Sequence, residues 1–324
     1  MKRWLLCGVC CLSLLLVLPV RAEPQDGLFW LGRVMTAARE LNYSGTFVYR
    51  NGGHAETSRI THLVEGGREF ERLEVLDGSP REVIRNHDEV KCYLPESRTL
   101  IVEKRGQRSG FPVLLPTSLA GLAEFYAIRK GAPGRVAGRD SQTIFIEPKD
   151  DVRYGHQFWV DMESGLLLKA GMLNERGETI ETFAFTQLQV GGSFDREALK
   201  SKFGAQSGGW RVSHMQASEA RGKDETWQFK VQLPGFRKLA GMKRTAQIAN
   251  PAQAESVHMV FSDGLAAISV FIEALPEKPE LGATSLGAIN VYQRAIGEQL
   301  IVAMGEVPPA TLKKFADGIE PKRK

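Results

Sequence analysis

The sequence is short of cysteine, of long apolar runs and of net charge, and each shortage removes a class of protein. Four cysteines occur in 324 residues, and Cys7, Cys10 and Cys11 stand close to the N-terminus. Beyond them only Cys92 remains, so neither a disulfide framework nor a Cys₄ zinc site is available. Past the N-terminus no stretch approaches the roughly 20 apolar residues that a membrane-spanning helix needs. The charge is also small. The chain has 42 Lys and Arg against 38 Asp and Glu, a formal +4. Setting aside Lys2, Arg3 and Arg21 leaves +1, too little for nucleic acid to be the main partner.

Catalytic signatures are missing too. No serine after residue 22 sits between glycines two before and two after it, so there is no nucleophile elbow. There is no phosphate-binding loop and no Gly-x-Gly-x-x-Gly. His54, His62, His87, His156, His214 and His258 are scattered, with no second ligand at helical spacing. His62 and His156 lie in strand patterns and read as satisfied strand side chains. Glu69 and Glu71 alternate on one strand and read as a solvated face. No enzyme, metal or cofactor is expected.

What is present is a core-forming composition, 43% hydrophobic with 25% charged, which excludes a disordered tail, a collagen-like fibre and a coiled coil. Residues 1–22 read as a secretory signal peptide. Lys2 and Arg3 form its basic start, Trp4 to Leu18 its apolar run, and Pro19 breaks the helix before Ala22. A signal anchor is the alternative. The cysteines lie inside the apolar run rather than at its end, which disfavours lipid attachment.

Gly27 to Leu41 predicts an amphipathic helix, with Leu28, Leu31, Met35 and Ala38 on one stripe. From Tyr43 to about Val190 the period changes to two, and Asn51-Gly52-Gly53, Gly66-Gly67 and Asp77-Gly78 end successive runs. Many short strands joined by tight turns predict an antiparallel meander, either a barrel or one strongly curved sheet. Cys92 alternates with Lys91 and Tyr93 and reads as a small buried hydrophobe.

Arg105 to Tyr126 interrupts the meander with a flexible Gly106-to-Gly110 stretch, then Phe111-Pro112-Val113-Leu114-Leu115-Pro116 and a helix-like Thr117 to Tyr126. Such an insertion is either a lid over an apolar cavity or a helix plugging one end of the sheet. Phe111, Leu114, Leu115, Leu119, Leu122, Phe125 and Tyr126 are its candidate lipid-facing residues.

The glycine cluster Gly204 to Gly209 marks the domain boundary, with residues 23–203 as a first β domain, 204–216 as linker and 217–320 as a smaller α+β domain. In the second domain Ser262-Asp263-Gly264 and Ala295-Ile296-Gly297 predict hairpin tips, and Pro308-Pro309 starts a helix over Ala310 to Ala316. Phe236, Arg237 and Lys238, after a Pro-Gly turn, and Ser262 and Asp263 are candidate contacts for a protein partner. Phe236 reads equally well as core.

Four short motifs in order carry a family resemblance. They are Arg81-Glu82-Val83-Ile84, Met162-Glu163-Ser164 through Gly177-Glu178-Thr179, Phe261-Ser262-Asp263-Gly264-Leu265, and Gly305-Glu306-Val307-Pro308-Pro309-Ala310-Thr311. Behind a signal peptide and at this spacing, the chain resembles the RseB/MucB family of periplasmic regulators of the sigma-E envelope-stress response, most of all its pseudomonad members. It departs in Leu233-Pro234-Gly235-Phe236, where the family often has a spacer before the glycine.

The resemblance implies a mostly antiparallel α+β protein. Its first domain would be a half-open β-barrel like those of the lipoprotein carriers LolA and LolB, with a helical lid and an apolar cavity. It also implies binding to the periplasmic domain of a membrane-spanning anti-sigma factor (RseA- or MucA-like), protection of that factor from regulated proteolysis, and release by acyl lipid or lipopolysaccharide. The outcome would be negative regulation of a sigma-E (AlgU-type) response such as alginate control. A homodimer is left open. The alternative is a periplasmic lipid or lipoprotein carrier with no regulatory role.

Overall fold

The computed structural model of the protein describes residues 24–86, 89–104, 119, 121–215, 226–244 and 256–322. Helix α1 (Pro24–Glu40) comes first. Its buried side is set by the helical period: Leu31, Val34 and Ala37 lie inside, three residues apart. Arg33 fixes the other side, donating to the carbonyls of Met162 and Glu163 at 3.0 and 2.7 Å.

Six strands follow α1: β1 (Tyr43–Asn51), β2 (His54–Glu65), β3 (Arg68–Val75), β4 (Glu82–Arg85), β5 (Glu89–Leu94) and β6 (Thr99–Lys104). A single helical turn, α2 (Leu122–Phe125), leads into β7 (Tyr126–Val136) and β8 (Arg139–Pro148). Then come β9 (Gly155–Asp161), β10 (Leu167–Leu173), β11 (Thr179–Val190) and β12 (Arg211–Met215). They make one open sheet of twelve strands, in the order β12-β6-β5-β4-β3-β2-β1-β11-β10-β9-β8-β7.

The sheet curves around α1. Tyr43 and Phe47 of β1, Ile144 and Ile146 of β8, and Phe158 and Val160 of β9 bury their side chains against Leu31 and Val34. Each such fully buried side chain contributes about 1.5–3 kcal/mol. Antiparallel pairing dominates, as the turn spacing predicts, and among the described strands only β12 adds in parallel, on β6. Residues 211–215, inside the stretch 204–216 expected as linker, therefore supply a strand to the first sheet.

Three other expectations give way. The helix expected over Thr117 to Tyr126 is, where described, only the turn α2, and Tyr126 already belongs to β7. That strand was hidden because it contains Gly131, Pro133 and Gly134. Proline is tolerated there because β7 is a sheet edge and its register shifts between Lys130 and Pro133. Glu71 is buried rather than solvated, paired with Arg85 directly across β3 and β4. Cys92 is half buried, and burial pushes its thiol pKa up. His62 is satisfied as expected, with Nδ1 2.9 Å from the Leu41 carbonyl.

The remaining strands form a separate, smaller unit. They are β13 (Trp227–Phe229), β14 (Arg237–Arg244), β15 (Ser256–Ser262), β16 (Ala267–Ala274), β17 (Gly282–Leu286), β18 (Ile289–Ile296) and β19 (Gln299–Gly305). Helix α3 (Pro309–Asp317) and β20 (Ile319–Pro321) follow. Six of these strands make an antiparallel sheet in the order β14-β15-β16-β19-β18-β17, and β13 pairs with β20. Leu312 and Phe315 of α3 bury against Met259, Phe261 and Ile301. The α+β expectation for this part of the chain is met by a six-stranded sheet, the β13–β20 pair and one helix. No helix among the described residues is long and apolar enough to cross a membrane.

Candidate functional site

The functional geometry lies where the two sheets meet. Asp150-Asp151-Val152-Arg153-Tyr154 connects β8 to β9 and carries two unlike residues into the joint. Val152 buries in the hydrophobic core of the second sheet. The Arg153 side chain has no solvent exposure and pairs with Asp263, whose side chain has none either. Asp150 grips the same guanidinium at both ends, accepting from Nε and Nη2 at 2.9 Å each. Arg153 also donates to the Pro234 carbonyl.

Three rings enclose that guanidinium: Phe125 at 5.1 Å, Tyr126 at 5.4 Å and Phe236 at 5.2 Å. Phe125 ends α2, Tyr126 begins β7 and Phe236 immediately precedes β14, so the cation is caged by rings from both domains. Burial works against its charge, but the bonds from Asp150 and the charge of Asp263 outweigh burial and hold its pKa above the ordinary arginine value. Asp263 is satisfied on both oxygens. Oδ2 accepts from the Tyr126 hydroxyl at 2.8 Å as well as from Arg153. Oδ1 accepts from the Leu265 and Ala266 amides at 2.9 and 2.8 Å. His156 lies near this carboxylate, and burial lowers its pKa to about 4 despite the favourable Asp263 charge.

A second contact sits at the end of β1. Asn51 Oδ1 accepts from the Ala288 amide at 2.7 Å. Asn290 Nδ2 donates to the Tyr154 hydroxyl at 3.0 Å, and Ala288 packs with Tyr154 and Met172. Two glycines permit these approaches. A Cβ on Gly287 would lie 1.4 Å from Asn51 Oδ1, and one on Gly235 would lie 2.7 Å from the Phe125 ring. Both have positive φ, +60° and +78°.

The residues expected at the functional sites fall into four groups. Phe111, Leu114 and Leu115 lie outside the described residues. Leu122 and Tyr126 are buried in the first core, with Leu119 and Phe125 packed against it. Phe236 and Asp263 meet Arg153, and Ser262 stabilises the hairpin tip by donating to the Ala266 carbonyl at 2.7 Å. Arg237 and Lys238 are exposed on β14. The structure thus gathers Phe125, Tyr126, Phe236 and Asp263 in one place although they were expected at two separate sites.

Sequence reasoning missed Arg153, Asn51 and Gly287. Arg153 follows Lys149-Asp150-Asp151 in a loop, a context that reads as solvated, and no period or motif marks it. No group of three or more His, Cys, Asp or Glu among the described residues is placed to hold a metal ion. An open groove of ≈ 490 Å³ runs beside α1, lined by Phe29, Arg33, Thr36 and Leu41 among others.

An open twelve-stranded sheet wrapped on a helix and locked by a buried ion pair to a second, smaller sheet defines a two-domain protein built around its joint. The chain belongs to the MucB/RseB family. Residues 26–203 match the MucB/RseB N-terminal domain and residues 221–320 the MucB/RseB C-terminal domain. It is 31% identical over 308 residues to the sigma factor AlgU regulatory protein MucB of Pseudomonas aeruginosa, covering 92% of each chain. It is 24% identical over 308 residues to the sigma-E factor regulatory protein RseB of Escherichia coli K12, covering 95% of this chain and 94% of that one. Among solved structures, MucB in complex with MucA(peri) matches with a TM-score of 0.72 at 30% identity, over 92% of this chain and all of that one. MucB alone matches with a TM-score of 0.64 at 29% identity, over 92% of this chain and 98% of that one.

Proposed function

We propose that this protein resides in the periplasm, binds the periplasmic segment of a membrane-spanning anti-sigma factor and shields it from regulated proteolysis. In this reading acyl lipid or lipopolysaccharide releases it, so that it restrains a sigma-E-type stress response. The observation that carries the reading is likeness along nearly the whole chain to a sigma-factor regulatory protein, with the higher TM-score falling on the form bound to MucA(peri). The role is one of binding and release rather than catalysis.

The joint supplies a physical route between the two ligands. The described end of the segment expected as lid belongs to the ring cage: Phe125 covers Arg153, and Tyr126 bonds to Asp263. An acyl chain that displaces this segment loosens the bonds holding the second sheet. Lipid then favours one domain arrangement and the anti-sigma segment another, which is negative coupling. The exposed Arg237 and Lys238 of β14 are the contacts we assign to the anti-sigma segment. Phe236 and Asp263 act from within the joint.

The test is a titration of an anti-sigma periplasmic segment against the full chain. Saturable binding with Kd of about 1 μM or tighter is expected, weakened about tenfold by acyl-chain lipid. Absence of binding at about 100 μM would refute the reading. For the lipid arm, Leu114→Asp and Leu115→Asp are expected to abolish the effect of lipid while leaving anti-sigma affinity within about twofold. If lipid still weakens binding to these variants, the segment is not where lipid acts.

A further inference from the structure

A row of hydrogen bonds leads away from the second contact of the joint. The Ala288 amide donates to Asn51 Oδ1 at 2.7 Å, and Asn51 Nδ2 donates to the Tyr49 hydroxyl at 3.2 Å. Tyr49 in turn is hydrogen-bonded to the Glu181 carboxyl. Glu181 stands directly opposite Asn51 in the β1–β11 ladder. Its Oε2 is buried and accepts no hydrogen bond. The charge facing it is that of another acid, Glu306, which follows β19 of the second sheet. Glu306 lies between Gly305, which pairs with Asn290, and Val307, whose carbonyl accepts from Asn290 Nδ2 at 2.9 Å. One half-buried acid from each domain therefore flanks the second contact of the joint, Glu181 beside Asn51 and Glu306 beside Asn290.

Like charges brought together out of water cannot both ionise without cost. We propose that Glu181 and Glu306 make the joint sensitive to protonation, so that acidification tightens the two domains together and ionisation of both acids loosens them. The proposal is independent of what the protein binds.

The sign follows from the groups that face one another. Tyr49 on β1 and Glu306 beyond β19 act on Glu181, and among the described residues no cation pairs with it. Burial raises the Glu181 pKa from 4.5 to about 7, with the Glu306 charge adding to the rise and the Tyr49 bond opposing it. Burial raises Glu306 as well. Burial also raises Tyr49, reinforced by Glu181, so this hydroxyl keeps its proton throughout. An acid whose pKa is raised in the joined state favours joining below its ordinary value. That contribution is lost as pH climbs from about 4.5 to about 7, and it changes little above.

His156, near Asp263, acts in the opposite sense. Its pKa is lowered from 6.5 to about 4, so it penalises the joined state as pH falls through that range. A test must separate the two.

Hydrogen exchange at the Ala288 amide does so, because that N–H is donated to Asn51 across the joint. Its opening constant, corrected for intrinsic exchange, is measured in the full chain at about pH 8 and about pH 5.5, for the parent and for Glu181→Gln. His156 contributes equally to both proteins and cancels in the comparison. The opening ratio between the two pH values should be about tenfold larger in the parent than in the variant. Glu306→Gln, which neutralises the partner acid, should shrink the ratio in the same direction and serves if Glu181→Gln fails to fold. Ratios equal within about twofold in parent and variant would overturn the proposal.

Discussion

Asp263→Ala is expected to lower stability by about 3–5 kcal/mol, because it leaves the Arg153 guanidinium buried without its cross-domain partner. Both side chains are fully buried, so solvent does not dilute the effect. The same change strips the acceptor from the Tyr126 hydroxyl and from the Leu265 and Ala266 amides. The loss has a ceiling: the protein can rehydrate Arg153 by parting its domains, so the cost cannot exceed that of opening the joint. Urea unfolding followed by tryptophan fluorescence measures the loss. The pair Arg153→Met with Asp263→Leu should recover the part that comes from the unpaired guanidinium. The part that comes from the Tyr126 hydroxyl and the Leu265 and Ala266 amides remains, because they still lack an acceptor. A loss below about 1 kcal/mol for Asp263→Ala would mean that the ion pair is not formed in solution.

Gly287→Ala is the second large effect. Its cost separates from ordinary left-handed strain by comparison with Gly297→Ala. The two glycines have nearly the same φ, +60° and +58°. Around Gly297 nothing lies within 4 Å of an added Cβ, whereas at Gly287 it would sit 1.4 Å from Asn51 Oδ1 and 2.9 Å from the Asn51 backbone carbon. Gly297→Ala should therefore cost about 1 kcal/mol, the penalty of the left-handed conformation alone. Gly287→Ala should cost about 2–3 kcal/mol more, as the Asn51–Ala288 bond breaks and the domains shift. Small-angle scattering should show a larger radius of gyration for Gly287→Ala only. Equal destabilisation by the two substitutions would contradict the close approach of β1 to the second sheet.

Local chemistry made much of this architecture legible. Leu31 lies inside α1 because helical period placed it there, and Asn51-Gly52 turns β1 into β2 with Asn51 opposite His54. Ser262-Asp263-Gly264 and Ala295-Ile296-Gly297 likewise close the hairpins expected of them, and Pro309 starts α3. In each case the signal spans a few residues, and the structure it specifies is equally local. The four short motifs pointed to the family, whose two domain models match residues 26–203 and 221–320.

Other features depend on partners far away in the chain. β7 holds Gly131, Pro133 and Gly134 yet is a strand, because an edge position leaves the missing proline donor without a ladder partner to lose. β14, Arg237–Arg244, has the composition of a solvated stretch and becomes a strand through its ladder with β15. Glu71 alternates like an exposed residue but is buried with Arg85 across the sheet.

The joint shows the same division most clearly. By itself the sequence determined that Asp263 sits in a turn and that Phe236 follows Pro234-Gly235. Only the tertiary structure brought Arg153, 110 positions before Asp263, between them. Turn and period are written in neighbouring side chains, which is why they can be read one window at a time. The burial of a charge is set by whichever distant groups exclude water from it and supply its partner, and those are known only once the chain has folded.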